Sequence, residues 1–511
     1  MQLNNLLYKR GYLISNTKTE SGNFEIDFDD WNKDKFHKLN VYHDKLLEFK
    51  KSKSGDIEIG VLGIIVDPFN NIFETEIIIE NCILFLSKSD DEFWDYVNKL
   101  SGRFIILVKT SAKLFAFQDA AGNRSLYYYK KERINNEILL SSHTELIAEI
   151  KKSKVWSKAK SFMESSGFKN NNNRYLPGLV TPYENIYSLT PNTLIELNSK
   201  RIERFFPRHN LQKNSLSSSL AEELAHLLSA QIKLLTSKFK LAVSLTAGLD
   251  SRVSLAATRE EKNSILYYTY VCGYDGLDFS DNTAPDAKLA KKLSEQLDFN
   301  HKIFTHDGKV NEEFIQVFLR NTSYVSTVFR AHIAEILKKN YPENRLHIKS
   351  NVSEIGKAHY RNKYAFLPEK SDPYVFSKLY GDYSNNRLFL TEVFRHFIYT
   401  TQLQKENLFN YDLYDLLYWE QYIGRWQSLC LQEWDLVQDS YMLFNNRYIL
   451  NKMISLPFKN KSKKEMYHLI LNELWPDLTK IDINPHKEKN SSKKLIRIIR
   501  GISLRMKTHT Q

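Results

Sequence analysis

The residue types and spacing most suited to chemistry occur in the run Thr246-Ala247-Gly248-Leu249-Asp250-Ser251. This run follows the apolar segment 240–245 and precedes a segment with helical periodicity, so it should form a loop between a buried strand and a helix. Such a loop directs backbone N–H groups and the positive end of the helix dipole toward an anion. Asp250 adds a carboxylate that can hold Mg²⁺ beside phosphate oxygens. The run therefore predicts a site for the phosphates of a nucleotide.

The specificity of this motif is moderate when it is taken alone. It is not the P-loop, because no Gly-Lys-Ser/Thr sequence follows. A small-residue turn between a strand and a helix, without any ligand, has the same composition. The histidines show no HExxH or other paired spacing, so we expect no zinc site.

The surrounding elements predict two domains. Residues 1–207 contain short apolar runs joined by tight turns, which favour antiparallel sheets. Residues 208–490 alternate strand-like and helical segments, which favours a doubly wound parallel sheet, and the pattern becomes mostly helical beyond Tyr364. The overall class is therefore α/β combined with α+β.

The composition of the chain indicates how many cores it can form and which cellular compartment suits it. The chain has 511 residues, 42% of them hydrophobic, which is enough for two packed cores. Its three cysteines, Cys82, Cys272 and Cys430, are widely separated, so a disulfide framework is disfavoured and a reducing cytoplasm fits better. The N-terminus lacks the pattern of a signal peptide, and the apolar run 57–66 is too short to span a membrane.

The formal net charge of +12 is concentrated partly near the C-terminus, and residues 491–511 form a basic tail. Basic and apolar residues alternate in this region, so it could lie on a lipid surface. We favour instead a terminal helix packed on the protein. A nucleic-acid partner is disfavoured, because no basic patch with interleaved aromatics occurs outside the tail.

With these elements in place, the chain resembles the asparagine synthetase family over nearly its whole length. The run 246–251 is similar to the Ser-Gly-Gly-x-Asp-Ser loop of ATP pyrophosphatases, with Thr246 and Ala247 replacing Ser and Gly. Other matching segments are Gly102-Arg103-Phe104, 119–128, 141–145, the connector Leu189-Thr190-Pro191-Asn192, 269–273, 286–290 and 349–354. Lys464 precedes Pro476 by twelve residues, which is the spacing of a family lysine.

The resemblance implies a ligase that uses ATP to adenylate a carboxylate, releases pyrophosphate and transfers the acyl group to an amine or ammonia. It implies an Ntn hydrolase-like β-sandwich for residues 1–207 and an ATP pyrophosphatase domain for 208–490. The implied ATP-binding residues are Leu245, Thr246, Ala247, Gly248, Leu249, Asp250, Ser251, Cys272, Lys349 and Ser350. The implied Mg²⁺ ligands are Asp250 and Glu354, the implied catalytic residues are these two and Lys464, and the substrate contacts are Asn351 and Arg425.

Two departures from the family pattern change the expected activity. Gln2 replaces the catalytic cysteine of glutamine-using members, and the first cysteine is Cys82. We therefore expect residues 1–207 to retain the fold without hydrolysing glutamine, as in β-lactam synthetases. Asn351 replaces a glutamate proposed to deprotonate ammonia, and an amide cannot act as a base near neutral pH. Asparagine is thus a disfavoured product.

Several alternatives remain open at this stage. The carboxylate could belong to a free amino acid, a cyclising β-amino acid, a peptide side chain or a sugar uronic acid. A different class of function is a catalytically silent scaffold that binds a nucleotide or a partner. The sequence does not decide between a monomer and a homo-oligomer.

Overall fold

The computed structural model describes residues 6–17, 30–131, 136–271, 280–305 and 311–481, together with residues 483 and 500. Gln2, Cys272 and all of the tail 491–511 except residue 500 lie outside the described residues. The predictions made for these positions are therefore not addressed by the structure.

Two six-stranded antiparallel sheets face each other in the first part of the chain. Their strands are β1 (Tyr12–Ser15), β2 (Asn32–Phe36), β3 (Leu39–His43), β4 (Phe49–Ser54), β5 (Ile57–Val66), β6 (Ser101–Lys109), β7 (Leu114–Gln118), β8 (Tyr127–Tyr129), β9 (Leu139–Ser141), β10 (Ile186–Ser188), β11 (Thr193–Glu196) and β12 (Ile202–Arg204). The strand orders are β10-β8-β9-β1-β3-β2 and β12-β11-β7-β6-β5-β4.

Strand β6 shows how sequence alternation builds this arrangement. Ile105 and Leu107 join the core between the sheets, whereas Phe104 and Ile106 join the core on the outer face. Successive side chains of a strand point to opposite faces, so a strand that is apolar at every position is buried on both sides.

Helices cover the outer faces of both sheets. α1 (Thr75–Lys88) and α2 (Asp90–Lys99) pack on the outer face of the β4–β7 sheet, and α3 (Thr144–Lys151) packs on the other sheet. The Ser89 side chain caps α2 by accepting a hydrogen bond from the Glu92 amide at 3.1 Å. The sequence analysis identified only strands in this region and missed α1 and α2, although Ile78, Ile79, Cys82 and Ile83 have the spacing of a helix face.

The second part of the chain is built on a five-stranded sheet. Its strands are β13 (Lys240–Ser244), β14 (Leu266–Tyr270), β15 (His301–Phe304), β16 (Arg345–Lys349) and β17 (Ser440–Met442), in the order β15-β14-β13-β16-β17. All neighbouring pairs are parallel. Antiparallel sheets followed by a parallel sheet agree with the prediction.

Further α-helices follow in the described ranges. They are α4 (Ser157–Glu164), α5 (Ser166–Lys169), α6 (Ser218–Thr236), α7 (Leu249–Ala257), α8 (Ser280–Leu297), α9 (Glu312–Asn321), α10 (Val328–Asn340), α11 (His359–Lys363), α12 (Pro373–Tyr380), α13 (Arg387–Thr401), α14 (Leu413–Leu417), α15 (Ser428–Trp434), α16 (Arg447–Ile454), α17 (Phe458–Lys463) and α18 (Glu465–Leu474). A π-helix, Tyr418–Gln427, joins α14 to α15.

The parallel sheet is covered on both faces. Leu241 and Val243 of β13 pack in the core that contains α6, α7 and α18, whereas Ala242 packs against α10 and Trp434 on the opposite face. Within the described ranges, every helix is too short or too polar to cross a lipid bilayer.

The strand order creates a crevice at one place. The chain runs from β13 to β14 and β15 on one side, and then crosses to β16 on the other side of β13. Connections that leave β13 and β16 therefore diverge at the carboxyl ends of these strands. Ligands of open α/β sheets bind in this kind of crevice.

A buried ion pair joins the two parts of the chain. Both terminal nitrogens of the Arg103 guanidinium on β6 donate to the Asp435 carboxylate, at 2.5 and 2.6 Å, and its Nε donates to the Asn123 carbonyl at 3.0 Å. Arg103 and Asp435 are almost fully buried. Because Asp435 directly follows α15, this pair fixes the end of that helix against the first sheets.

The connector motif contributes a close contact at the same boundary. The Pro191 ring packs on Gly424, where an added Cβ would lie 2.5 Å from the proline Cδ. The Asn192 side chain donates to Glu420 at 3.2 Å and accepts from the Arg447 Nε at 3.1 Å. These contacts explain the motif Leu189-Thr190-Pro191-Asn192 as a packing element.

Replacing Arg103 by Met should lower the free energy of unfolding by about 3–5 kcal/mol, because Asp435 would remain buried without its partner. Urea denaturation followed by tryptophan fluorescence measures this change. Arg201→Met is the matched control, since Arg201 pairs with Glu203 at an exposed position and its loss should cost less than about 1 kcal/mol. Equal effects of the two substitutions would contradict the assigned role of Arg103.

Candidate functional site

A cavity of about 320 Å³ lies at the crevice between β13 and β16. It contains nine of the residues singled out by the sequence: Leu245, Thr246, Gly248, Asp250, Ser251, Lys349, Ser350, Asn351 and Glu354. Eight further residues complete the wall: Ser244, Tyr268, Thr269, Tyr270, Asp286, Arg330, Trp426 and Trp434. Residues that are far apart in the sequence therefore line a single cavity.

The loop 245–248 is held by hydrogen bonds on each side. The Leu245 amide donates to the Tyr268 carbonyl at 2.8 Å, and the Thr269 hydroxyl donates to the Leu245 carbonyl at 2.9 Å. The Thr246 amide donates to the Ser251 Oγ at 2.9 Å. These bonds extend the strand contact into the loop and fix its amides at the edge of the cavity.

The Ala247 amide has a carboxylate as its acceptor. It donates to the Asp286 Oδ1 at 2.6 Å. Asp286 thus places negative charge at the amide-rich start of α7, where the helix dipole favours an anion. Asp286 belongs to the segment 286–290 that resembles the asparagine synthetase family, but no role at the site was predicted for it.

Gly248 and Leu249 serve different purposes in the same loop. Gly248 has an ordinary backbone φ of −77°, and a Cβ there would meet only the Thr246 hydroxyl, at 3.3 Å. Its small size therefore keeps the cavity open. Leu249 is buried in the core beneath the loop and does not line the cavity.

Two carboxylates line the cavity, Asp250 from the first turn of α7 and Glu354 from the turn that follows β16. The Asp250 Oδ1 accepts a hydrogen bond from the Ser353 hydroxyl at 2.6 Å and pairs with the Lys357 ammonium. The Glu354 Oε1 accepts from the Asn351 side chain at 3.3 Å, while its Oε2 is shielded from solvent and has no hydrogen-bond partner within the described ranges. Burial, followed by the nearby Asp250 charge, raises the pKa of Glu354. A bound cation would relieve both effects.

No group of three or more His, Cys, Asp or Glu side chains among the described residues is arranged to hold a metal ion. Asp250 and Glu354 therefore supply at most two protein carboxylates. This number suits Mg²⁺, which commonly takes one or two carboxylates and completes its shell with water and phosphate oxygens.

The backbone before Glu354 is strained. Val352 is fully buried with φ 81° and ψ −35°, a conformation that is rare for a β-branched residue. A short 3₁₀ turn, Ser353–Lys357, follows it. The Tyr467 hydroxyl on α18 donates to the Ser353 carbonyl, which helps to hold this turn. The strained backbone at Val352 turns the chain so that both Asn351 and Glu354 line the cavity.

The opposite wall of the cavity is cationic and aromatic. The Lys349 Nζ lies 3.8 Å from the centre of the Trp434 ring, and burial lowers the pKa of Lys349 to about 8. The Arg330 Nε lies 3.2 Å from the Glu433 carboxylate, and its Nη2 donates to the Cys430 sulfur at 2.6 Å. This wall therefore carries two cations and one carboxylate.

The π-helix supplies a stack of aromatic rings beside this wall. Tyr418 and Tyr422 stack with ring centres 5.0 Å apart, and Tyr422 and Trp426 follow at 4.9 Å. A π-helix places residues of this spacing in register, and such segments are frequent at functional sites. Trp426, at the end of the stack, reaches the cavity.

Two predicted residues lie outside the cavity lining. Arg425 is buried and donates to the Val180 carbonyl at 2.6 Å, so it holds the backbone at Val180 and does not line the cavity. Lys464 is half-buried in the left-handed turn between α17 and α18, with φ 59°. Its turn is close to the site, because Tyr467, three residues later, contacts Ser353.

The sequence analysis missed Arg330, Lys357, Trp426 and Trp434. Only Lys357 carried a local signal, because it follows Glu354 at the spacing of one helical turn. The other three belong to helices that pack on the sheet from elsewhere in the chain, and no motif marks them.

Comparison with known proteins gives only loose similarities. A glutamine phosphoribosylpyrophosphate amidotransferase from B. subtilis, complexed with ADP and GMP, is 9% identical, with 70% of this chain and 73% of that chain covered and a TM-score of 0.23. A structure described as the allosteric regulatory enzyme of purine biosynthesis is 9% identical, with 69% and 72% covered and a TM-score of 0.24. No protein-family model and no curated protein matches the chain. The site is therefore interpreted from its own residues.

Lys349→Met should stabilise the ligand-free protein at pH 7, by roughly 1–3 kcal/mol, because it removes a poorly solvated charge. The folded-state pKa of about 8 lies below the ordinary value of 10.5, so the unfolded chain binds more protons between these values. The stability of the unsubstituted protein should therefore rise relative to the variant as pH increases from 8 to 10.5. Urea denaturation from pH 7 to 10.5 tests the stabilisation by Lys349→Met at pH 7 and its decrease at higher pH. A difference in the free energy of unfolding that does not change with pH would contradict the prediction.

Proposed function

We propose that the protein is an ATP-dependent ligase that adenylates a carboxylate and transfers the acyl group to a nitrogen nucleophile. The observation that carries this proposal is the meeting of three features in one cavity. These are an amide-rich strand-to-helix loop, the adjacent carboxylates Asp250 and Glu354, and a separate cationic wall. In this proposal the loop binds phosphate, the two carboxylates bind a metal ion, and the cationic wall recognises the acid.

The loop 246–251 is the proposed site for the pyrophosphate part of ATP. Thr246 and Ser251 add hydroxyls to the backbone amides, and α7 directs its positive end to the same place. The Asp286 carboxylate accepts from the Ala247 amide, so a phosphate oxygen would take over an existing anion contact. Arrival of the triphosphate is therefore expected to displace Asp286 from this amide.

Mg²⁺ fits the donor set of Asp250 and Glu354. The unpartnered Glu354 Oε2 and the raised pKa of this carboxyl both favour a nearby cation. The bound ion would neutralise charge on the departing pyrophosphate. Lys357, which pairs with Asp250, would then be free to contact phosphate oxygens.

The chemistry requires two displacements. An oxygen of the substrate carboxylate attacks the α-phosphorus, the bond from phosphorus to the leaving pyrophosphate oxygen breaks, and an acyl-adenylate forms. The nitrogen nucleophile then attacks the acyl carbon, AMP departs, and the nitrogen loses a proton. Lys464, next to the turn that carries Glu354, is proposed to stabilise charge on the phosphates.

The first part of the chain is proposed to support the site rather than to supply ammonia. Gln2 replaces the cysteine that such chemistry needs, and Cys82, the first cysteine of the chain, is buried in α1 with its thiol pKa raised by burial. The nitrogen donor would therefore be an amine from a second substrate or from the same molecule.

One observation favours a different function, that of a catalytically silent scaffold. The Asp286–Ala247 bond and the Asp250–Lys357 pair occupy the places proposed for phosphate and metal. A site that satisfies its own charges in this way is also expected of a protein that no longer turns over. The retained cavity and the unpartnered Glu354 oxygen favour the ligase.

Addition of ATP, Mg²⁺ and a panel of amino acids, dicarboxylates, peptides and uronic acids should release pyrophosphate with at least one member. Asp250→Asn should reduce this release by at least about 100-fold, because the pyrophosphate would lose its metal-bearing carboxylate. The matched control is Asp382→Asn, since Asp382 is exposed and does not line the cavity. Pyrophosphate release that survives Asp250→Asn would refute the assignment of the loop, and unchanged ATP across the panel would favour the scaffold.

A further inference from the structure

The Lys349 ammonium has no hydrogen-bonded anion among the described residues, although the Glu433 and Glu354 carboxylates lie near it. This ammonium lies against the Trp434 ring and lines the cavity, yet no carboxylate or other hydrogen-bond acceptor among the described residues is within bonding distance. Holding an ammonium away from water without an anion is unfavourable, and the lowered pKa of Lys349 reflects this cost. A ligand anion would relieve it.

The next residue has a second unsatisfied group. The Ser350 Oγ is shielded from solvent, lines the same cavity and has no partner in the described part of the chain. Arg330 adds a third donor, since only part of its guanidinium is used by Glu433 and Cys430. Glu433 and Glu354 also lie near Lys349, but among the described residues neither carboxylate forms a hydrogen bond with the ammonium, so both cations keep donors for a ligand anion.

The position of this corner argues against the pyrophosphate as its occupant. His347 contacts Ser244 at 2.9 Å and stacks on Trp434, and alternate residues of a strand share a face, so Lys349 lies on the α10–α15 face of the sheet. The loop 246–251 leads instead into α7, which packs on the other face. The cavity thus offers two anion positions separated by the edge of the sheet.

We propose that Lys349, Ser350 and Arg330 form a binding site for the carboxylate of the acid that the enzyme activates. This inference rests on the proposed function and adds the residues that recognise its second substrate. Lys349 supplies the charge, Ser350 a neutral donor and Arg330 a further guanidinium donor, while Trp434 keeps water from the ammonium. The carboxylate would be held on the β16 side of the cavity, next to the end of β13 where the phosphates begin.

Carboxylate probes with matched amides test this site on the full chain. Acetate, succinate and benzoate, each compared with acetamide, succinamide or benzamide, are titrated by thermal shift in the presence of Mg²⁺ and ATP. We expect at least one carboxylate to raise Tm and its amide to have no effect. Lys349→Met should weaken this carboxylate by at least about tenfold, because a charge-assisted hydrogen bond is lost, and Lys349→Arg should retain much of the binding.

The control is Lys338→Met. Lys338 also lies over an aromatic ring, 4.9 Å from the centre of Phe314, but on the surface. The Lys338→Met variant should bind the probes as the unsubstituted protein does. Equal binding of carboxylate and amide, or a carboxylate affinity unchanged in Lys349→Met, would overturn the proposal.

ATP binding distinguishes this inference from the proposed function. Lys349→Met should bind Mg²⁺ and ATP with an unchanged Kd, whereas a tenfold loss of ATP affinity would assign Lys349 to the phosphates and overturn the inference. If the unsubstituted protein binds no ATP but discriminates carboxylate from amide through Lys349, the proposed function fails and the carboxylate site stands.

Discussion

The adjacency of β13 and β16 is the constraint on which the site depends. These strands are neighbours and parallel, although about one hundred residues separate them in the chain, and their connections leave in different directions. The sheet therefore ends in a crevice that backbone groups cannot fill. Thr246 and Ser251 reach this space from the β13 side, and Ser350 and Glu354 reach it from the β16 side.

The charged groups on the two sides of this crevice differ in how well the protein itself pairs them. On the α7 side, negative groups already meet donors, as in the contacts of Asp286 with the Ala247 amide and of Asp250 with Lys357. On the α10–α15 side, the Lys349 ammonium lies over the Trp434 ring and has no hydrogen-bonded carboxylate among the described residues. Binding sites commonly retain interactions that destabilise the free protein, and the uncompensated groups here indicate where ligand charge is expected.

The sheets of the first part contribute to the site from a distance. Arg103 holds Asp435, the residue after Trp434, and Trp434 in turn covers Lys349. The first part of the chain therefore helps to fix one wall of the cavity. This physical link also explains why the motifs of the first part, such as the turn at Asp119, make contacts with residues near 440: the Asn445 side chain donates to Asp119 at 2.9 Å.

The sequence by itself determined the local elements of the site. Apolar residues before Thr246 and helical periodicity after it are sufficient to predict strand, loop and helix, because these signals act over a few residues. The small residues and Asp250 lead to the prediction of a phosphate site in the loop. Tertiary structure alone decided that Arg330, Trp426 and Trp434 share this cavity, that Arg425 instead binds the Val180 carbonyl, and that Asp250 pairs with Lys357. These outcomes depend on which helices pack on which face of the sheet, and that choice is made by the burial of whole apolar surfaces rather than by any local pattern.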